Sequence, residues 1–170
     1  PSARVQRERY VGVRTRRKLD RALEVVVDRS RHQSMSVRRD QVALIAFRGR
    51  AAELLLPPTR SLARAKRSLA GLPGGGGTPL AAGLDAAFAL SDSIRRKGQT
   101  PTVIVLTDGR ANIARDGSQG RPRAEEDAIN AARQLRMADI TTVLVDTSPP
   151  PGGSGGAVAT ELAARYLTMP

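Results

Sequence analysis

Pro101–Ile113, PTVIVLTDGRANI, is the stretch on which the reading of the fold turns. Thr102–Leu106 is a short run of mostly β-branched apolar residues, which suits a strand buried on both faces of a parallel sheet. The run stops at Thr107-Asp108-Gly109, so a carboxylate sits on a turn just past the strand's C-terminal end. In an open α/β sheet that edge is where ligands bind. Asp108 can there hold a cation or accept a hydrogen bond. It can equally do no more than cap the turn at Gly109, because Asp-Gly is a common turn pair.

Upstream lies Leu72–Leu80, LPGGGGTPL. Its consecutive glycines allow close backbone approach, and they lead to Pro79 at the first position of a helix predicted over Leu80–Arg96. Leu80, Leu84, Ala87 and Ile94 form its buried side. The Gly-Lys-Ser/Thr ending of a phosphate-binding loop is absent. Thr78 presents a hydroxyl where an N-cap would sit, and capping is its simplest role. Further upstream, Gln41–Phe47 and Ala52–Leu56 read as strands, the second ending at Pro57-Pro58. So short a connection makes them antiparallel, because a parallel return needs a crossover of about a dozen residues. Ser61–Leu69 reads as a helix with Ser61 as its N-cap.

Downstream, Arg110–Arg123 is a long polar loop with a surface role. Ala124–Arg136 is an amphipathic helix with acidic residues in its first turn and basic ones later, as the macrodipole favours. Thr141–Val145 is another buried strand, closed by Asp146-Thr147. A Pro/Gly segment, a short helix at Ala157–Arg165 and an edge strand at Tyr166–Met169 follow. Helices alternating with buried strands indicate an α/β layered sheet. Pro1–Lys18 shows neither period, so residues 1–21 read as a basic linker or arm and 22–170 as the domain. Ala22–Val27, ALEVVV, is a strand or the end of a helix starting near Arg17, and Asp28-Arg29-Ser30 follows it.

The chain has 170 residues, enough for one full core, which must be built from aliphatic side chains because aromatics make up 2%. Cysteine is absent, which excludes disulfides and thiolate metal sites. No apolar run approaches the roughly 20 residues of a membrane span, and the cytoplasm is the expected compartment. Of the net charge of +12, residues 1–40 hold twelve Lys/Arg against five Asp/Glu. A basic arm such as Arg4–Arg21 can bind nucleic acid or an acidic surface. With Tyr10 its only aromatic, it lacks the stacking platforms of a single-strand binder, and nucleic acid is disfavoured.

Thr78 and Asp108 belong together at the ligand-binding edge. Hydroxyl and carboxylate oxygens, without His or Cys, are the donor set of a hard divalent cation, and Mg²⁺ is the natural choice. Such an open site can accept an acidic side chain from a partner. A hydrolase centre built on the same residues would need a general base with a perturbed pKa, and none is evident. The lone His32 reads as a surface residue.

GGGGTPLAAGL and TPTVIVLTDGRANIA, preceded by RRDQVALIAFRG and ELLLPPTRSL, resemble the integrin-I (von Willebrand A) domains of magnesium chelatase D subunits. The likeness runs from about Arg38 to Thr147, and VLVDTSP and RYLTMP agree with the closing strands. It implies a Rossmann-like α/β fold: a mostly parallel sheet with one antiparallel edge strand and helices on both faces. It also implies Mg²⁺ held by Thr78 and Asp108, with Asp28 and Ser30 matching the first half of an Asp-x-Ser-x-Ser limb at the end of the central strand. Where the limb's second serine should fall stands His32. Only Arg29–Asp40 is then left for the first crossover, so the first strand and helix read as incomplete: the limb is altered, or residues are missing there. The implied partners are an ATP-hydrolysing AAA⁺ I subunit and a porphyrin-binding H subunit, docked through an acidic residue during Mg²⁺ insertion into protoporphyrin. A related cobalt-chelatase scaffold and a basic nucleic-acid module are the alternatives.

Overall fold

The computed structural model describes residues 7–13, 41–71, 76–148 and 155–168. In chain order these form β1 (Arg7–Val13), β2 (Gln41–Arg48), β3 (Ala51–Thr59), α1 (Leu62–Ala70) and α2 (Leu80–Arg95). Then come β4 (Thr100–Thr107), α3 (Arg121–Met137), β5 (Thr141–Asp146), α4 (Gly155–Glu161) and β6 (Arg165–Thr168). Among the described residues one six-stranded sheet runs in the order β3-β2-β1-β4-β5-β6. β3 pairs antiparallel to β2, and every other pairing is parallel. This is the α/β architecture expected from the sequence.

The buried strands alternate between two cores, which explains their unbroken apolar runs. Ala43, Ile45, Phe47, Val103 and Val105 face the core built with α2, α3 and α4. Leu44, Ile104, Leu106 and Val145 face the other, which Ala65 and Leu69 of α1 join. Period 2 therefore holds in β2 and β4, but both faces are apolar. Gly83 lets α2 lie close on this sheet: a Cβ there would come within 2.7 Å of the Phe47 ring.

Four expectations need correction. Arg7–Val13, assigned to a basic arm, is a strand in the interior of the sheet, paired with β2 on one side and β4 on the other. Arg7, Glu8 and Arg9 hide it from a search for apolar runs, and hydrogen bonding along both edges overrides their weak strand preference. β1 thus takes the interior place assigned to a strand before Asp28; Asp28, Ser30 and His32 lie outside the described residues. β3 runs through Pro57 and Pro58 instead of stopping there, which its position at the sheet edge permits. α3 begins at Arg121 with Pro at its start, so its first turn holds no acidic residue and Glu125 and Glu126 fall later. Likewise α4 is earlier and shorter than predicted, ending at Glu161.

Gly83→Ala should lower stability by about 1–3 kcal/mol through overpacking, despite alanine's better helix propensity. Denaturant unfolding reads this, and adding Phe47→Leu should recover part of the loss.

Candidate functional site

Parallel strands place their C-terminal ends on one edge, so the turns after β2 and β4 lie together there. The strand order reverses between β1 and β4, and a ligand crevice is expected outside that switch point. Asp108 follows β4 directly. Its side chain is half-buried, and its Oδ1 accepts the Arg110 N–H at 3.2 Å. Thr107 Oγ1 accepts the Gly109 N–H at 3.0 Å, and the Thr107 carbonyl accepts Thr147 N–H at 2.9 Å. The turn is therefore held from both sides, and the turn-capping role considered for Asp108 is present.

Thr78 does not cap α2. The N-cap is Pro79, one residue later than a capping threonine would require, and it makes no side-chain cap bond. Thr78 is fully buried, and its Oγ1 has no hydrogen-bond partner among the described residues. A buried hydroxyl left unpaired costs about 1–3 kcal/mol; Ser91 Oγ in α2 is the other such oxygen among the described residues.

The Thr78 loop is fastened to the loop after β4 by Asn112. Its Oδ1 accepts the Thr78 N–H at 2.6 Å, and its own N–H donates to the Thr78 carbonyl at 3.3 Å. The Asn112 carbonyl in turn accepts the Gly120 N–H at 3.1 Å. Gly77 completes the junction: a Cβ there would meet Ile113 at 2.5 Å and the Gly49 carbonyl at 2.6 Å, so only glycine fits between the two turns. Arg115 anchors the far part of the same loop. Its guanidinium spans both oxygens of Asp85 at 2.8 Å, and its N–H reaches Asp127 at 2.8 Å. These contacts hold the arginine above its usual pKa, the Asp85 hydrogen bonds contributing most. Asn112 was not singled out in the sequence, because nothing distinguishes a clamping asparagine from a turn-forming one.

A second carboxylate stands on this edge. Asp146, at the end of β5, is 3% exposed. Its Oδ1 accepts from the Ser148 N–H at 2.7 Å and hydroxyl at 2.6 Å, and its Oδ2 from the Tyr166 hydroxyl at 2.5 Å. That hydrogen bond, then burial, then the carboxylate's charge push the Tyr166 pKa up to about 12. Asp146 thus ties β5 to β6. The backbone of Gly155, at the start of α4, lies so close that a Cβ there would fall 2.9 Å from Asp146 Oδ2 and 3.8 Å from Gly109 Cα.

The geometry brings the loops of Thr78 and Asp108 together. A buried alcohol oxygen without a partner, beside a loop bearing a carboxylate, fits a hard cation that keeps part of its water shell. Among the described residues no group of three or more His, Cys, Asp or Glu is placed to hold a metal, so the fit rests on this sparse oxygen set. No described helix is long and apolar enough to cross a membrane.

The von Willebrand factor type A domain family matches residues 2–110. Over 133 residues, 78% of the chain, it is 57% identical to the magnesium-chelatase 60 kDa subunit of Cereibacter sphaeroides. Over 132 residues it is 47% identical to the subunit of the same description from Rhodobacter capsulatus. The chain spans about a quarter of these curated relatives' length, 24% of each. Among solved structures, the vWF domain of the type V pili tip protein Mfa5 from Porphyromonas gingivalis superposes with a TM-score of 0.69 at 10% identity. That alignment covers 99% of this chain and 90% of the other, and it speaks for the fold alone.

Asn112→Ala should cost about 1–3 kcal/mol, by leaving the buried Thr78 N–H unpaired, and should speed hydrogen exchange at Thr78. Asn112→Asp, which keeps an acceptor oxygen, should retain most of the protection. Tyr166 makes the edge sensitive to alkali. With a folded pKa near 12 against the ordinary 10, its contribution is complete below pH 10 and lost as pH rises towards 12. Tyr166→Phe should flatten that part of a stability–pH profile measured by urea unfolding.

Proposed function

The chain belongs to the von Willebrand factor type A domain family, and from that premise we propose that it is the docking module of a magnesium-chelatase D-type subunit. In this reading Thr78 and Asp108 hold Mg²⁺, with Asp28 and Ser30 as the remaining limb. When bound, the ion supplies a Lewis-acidic bridge to an acidic side chain of another subunit. Those subunits are the AAA⁺ I subunit and the porphyrin-binding H subunit. The assembled complex inserts Mg²⁺, there a substrate, into protoporphyrin IX in (bacterio)chlorophyll synthesis at the expense of ATP. The domain works in the cytoplasm and carries no catalytic residue of its own.

The observation that carries this reading is the buried hydroxyl of Thr78, without a partner among the described residues, on a loop clamped to the one bearing Asp108. The chain's similarity to two magnesium-chelatase 60 kDa subunits supports the chelatase assignment. Each residue of the chain has a separable part. Thr78 offers a neutral oxygen from a rigid backbone. Asp108 offers charge from a turn already fixed by Thr107 and Arg110. Asn112 keeps the two loops at a constant separation, and Gly77 lets them approach.

Thr78→Val separates this role from a structural one by the sign of its effects. In metal-free buffer it should leave stability unchanged or raise it by about 1 kcal/mol, since it deletes an unpaired buried hydroxyl. With Mg²⁺ it should abolish Mg²⁺-dependent capture of the other chelatase subunits, as should Asp108→Ala. Pull-downs with Mg²⁺ and then with chelator read the effect; capture that both variants retain at wild-type strength would refute the metal bridge.

A further inference from the structure

Charge is divided sharply between the two sides of the described molecule. From 41 to 71, six basic residues (Arg48, Arg50, Arg60, Arg64, Lys66 and Arg67) stand against one acidic residue, Glu53. From 76 to 148, nine basic residues meet nine acidic ones. In the balanced part, five of the nine are neutralised within the fold, among them Arg96 by Asp92, Arg115 by Asp85, Arg121 by Glu125 and Arg123 by Asp116. Arg133 likewise pairs with Glu161 of α4. None of the six cationic side chains of β2, α1 and the connections flanking β3 joins an ion pair among the described residues, and all six are exposed.

α1 holds part of this charge against its own interest, although Arg67 in its last turn suits the macrodipole. It has no acidic residue. Arg64 lies near the N-terminal end, where the macrodipole disfavours a cation. Arg64 and Arg67 are three residues apart, a spacing that brings like charges together on one face. Large apolar side chains are exposed among these cations: Leu54 at 47% and Leu62 at 44%. Apolar anchors rimmed by charge are the anatomy of a protein interface. A surface for single-stranded nucleic acid would be expected to offer aromatic stacking, and the only aromatic of residues 41–71 is Phe47, which is buried. Pro57 and Pro58 remove backbone donors from one end of the edge strand β3, so contact there runs through side chains rather than an added strand.

We propose that the β2–β3–α1 edge is a docking surface for a carboxylate-rich polypeptide, with Arg64, Lys66 and Arg67 as its principal contacts. The inference does not depend on metal at Thr78 and Asp108. An acidic partner segment would neutralise the repulsion along α1 and cover Leu62.

The test is charge reversal in two variants of matched net charge, +12 lowered by two per substitution in each. Arg64→Glu/Lys66→Glu/Arg67→Glu is compared with Lys97→Glu/Arg136→Glu/Arg165→Glu, three exposed cations elsewhere that are also outside the described ion pairs. Fluorescein-labelled poly-L-glutamate is titrated with each at about physiological ionic strength, in chelator, with a labelled DNA oligonucleotide as a second probe. The α1 variant should lose about tenfold or more in affinity for polyglutamate while the control stays within about twofold of wild type. Equal losses in both variants would overturn the proposal, as would no binding of polyglutamate by the wild type. Tighter binding of the oligonucleotide, lost on reversal at α1, would replace it with a nucleic-acid surface. Should the triple Glu variant lose helical circular dichroism, Arg64→Gln/Lys66→Gln/Arg67→Gln decides by the same comparison.

Discussion

Burial of β4 on every side is the constraint from which the site follows. Its two edges pair with β1 and β5, and its faces alternate between the two cores through Val103 and Val105 on one side and Ile104 and Leu106 on the other. Such a strand cannot slip its register without turning apolar side chains to the wrong face. The position of Asp108, one residue beyond it, is therefore set by the sheet rather than by its loop. The same holds for Asp146 at the end of β5, whose carboxylate is consumed in holding Ser148 and Tyr166.

What the sheet fixes on one side, Asn112 carries to the other. Its paired hydrogen bonds make the loop before α2 part of the same rigid body as the turn after β4. The consequence is a buried Thr78 hydroxyl that neither caps the helix nor meets a partner among the described residues. Ser91 in α2 is the other buried hydroxyl without a partner among the described residues, so what sets Thr78 apart is its place at the ligand-binding edge of the sheet. A docking ion is the account of it offered here, and the charge on α1 offers a separate contact for a protein partner.

Much of this was legible in the sequence, for identifiable reasons. β2, β4 and β5 declared themselves because strands buried on both faces are nearly continuous in Val, Ile and Leu. The antiparallel β2–β3 pair followed from a connection too short for anything else, and Ser61 caps α1 as its residue type predicts. β1 was missed because its first three residues are charged and its strand state comes from its neighbours on both edges, which no local window contains. Thr78 and Asp108 stand out in the sequence by their places beside a glycine run and a strand end. That Asn112 bridges the loops depends on a contact spanning 34 residues, which no local window contains.

The central claim, that the Thr78 and Asp108 oxygens share one small divalent ion, is tested most directly by crystals of the chain grown with Mn²⁺ in place of Mg²⁺. An anomalous difference map should show a peak about 2.0–2.2 Å from both Thr78 Oγ1 and an Asp108 carboxylate oxygen, as octahedral coordination requires. A saturating Mn²⁺ concentration that leaves this position empty, or a peak bound through neither residue, would contradict the account.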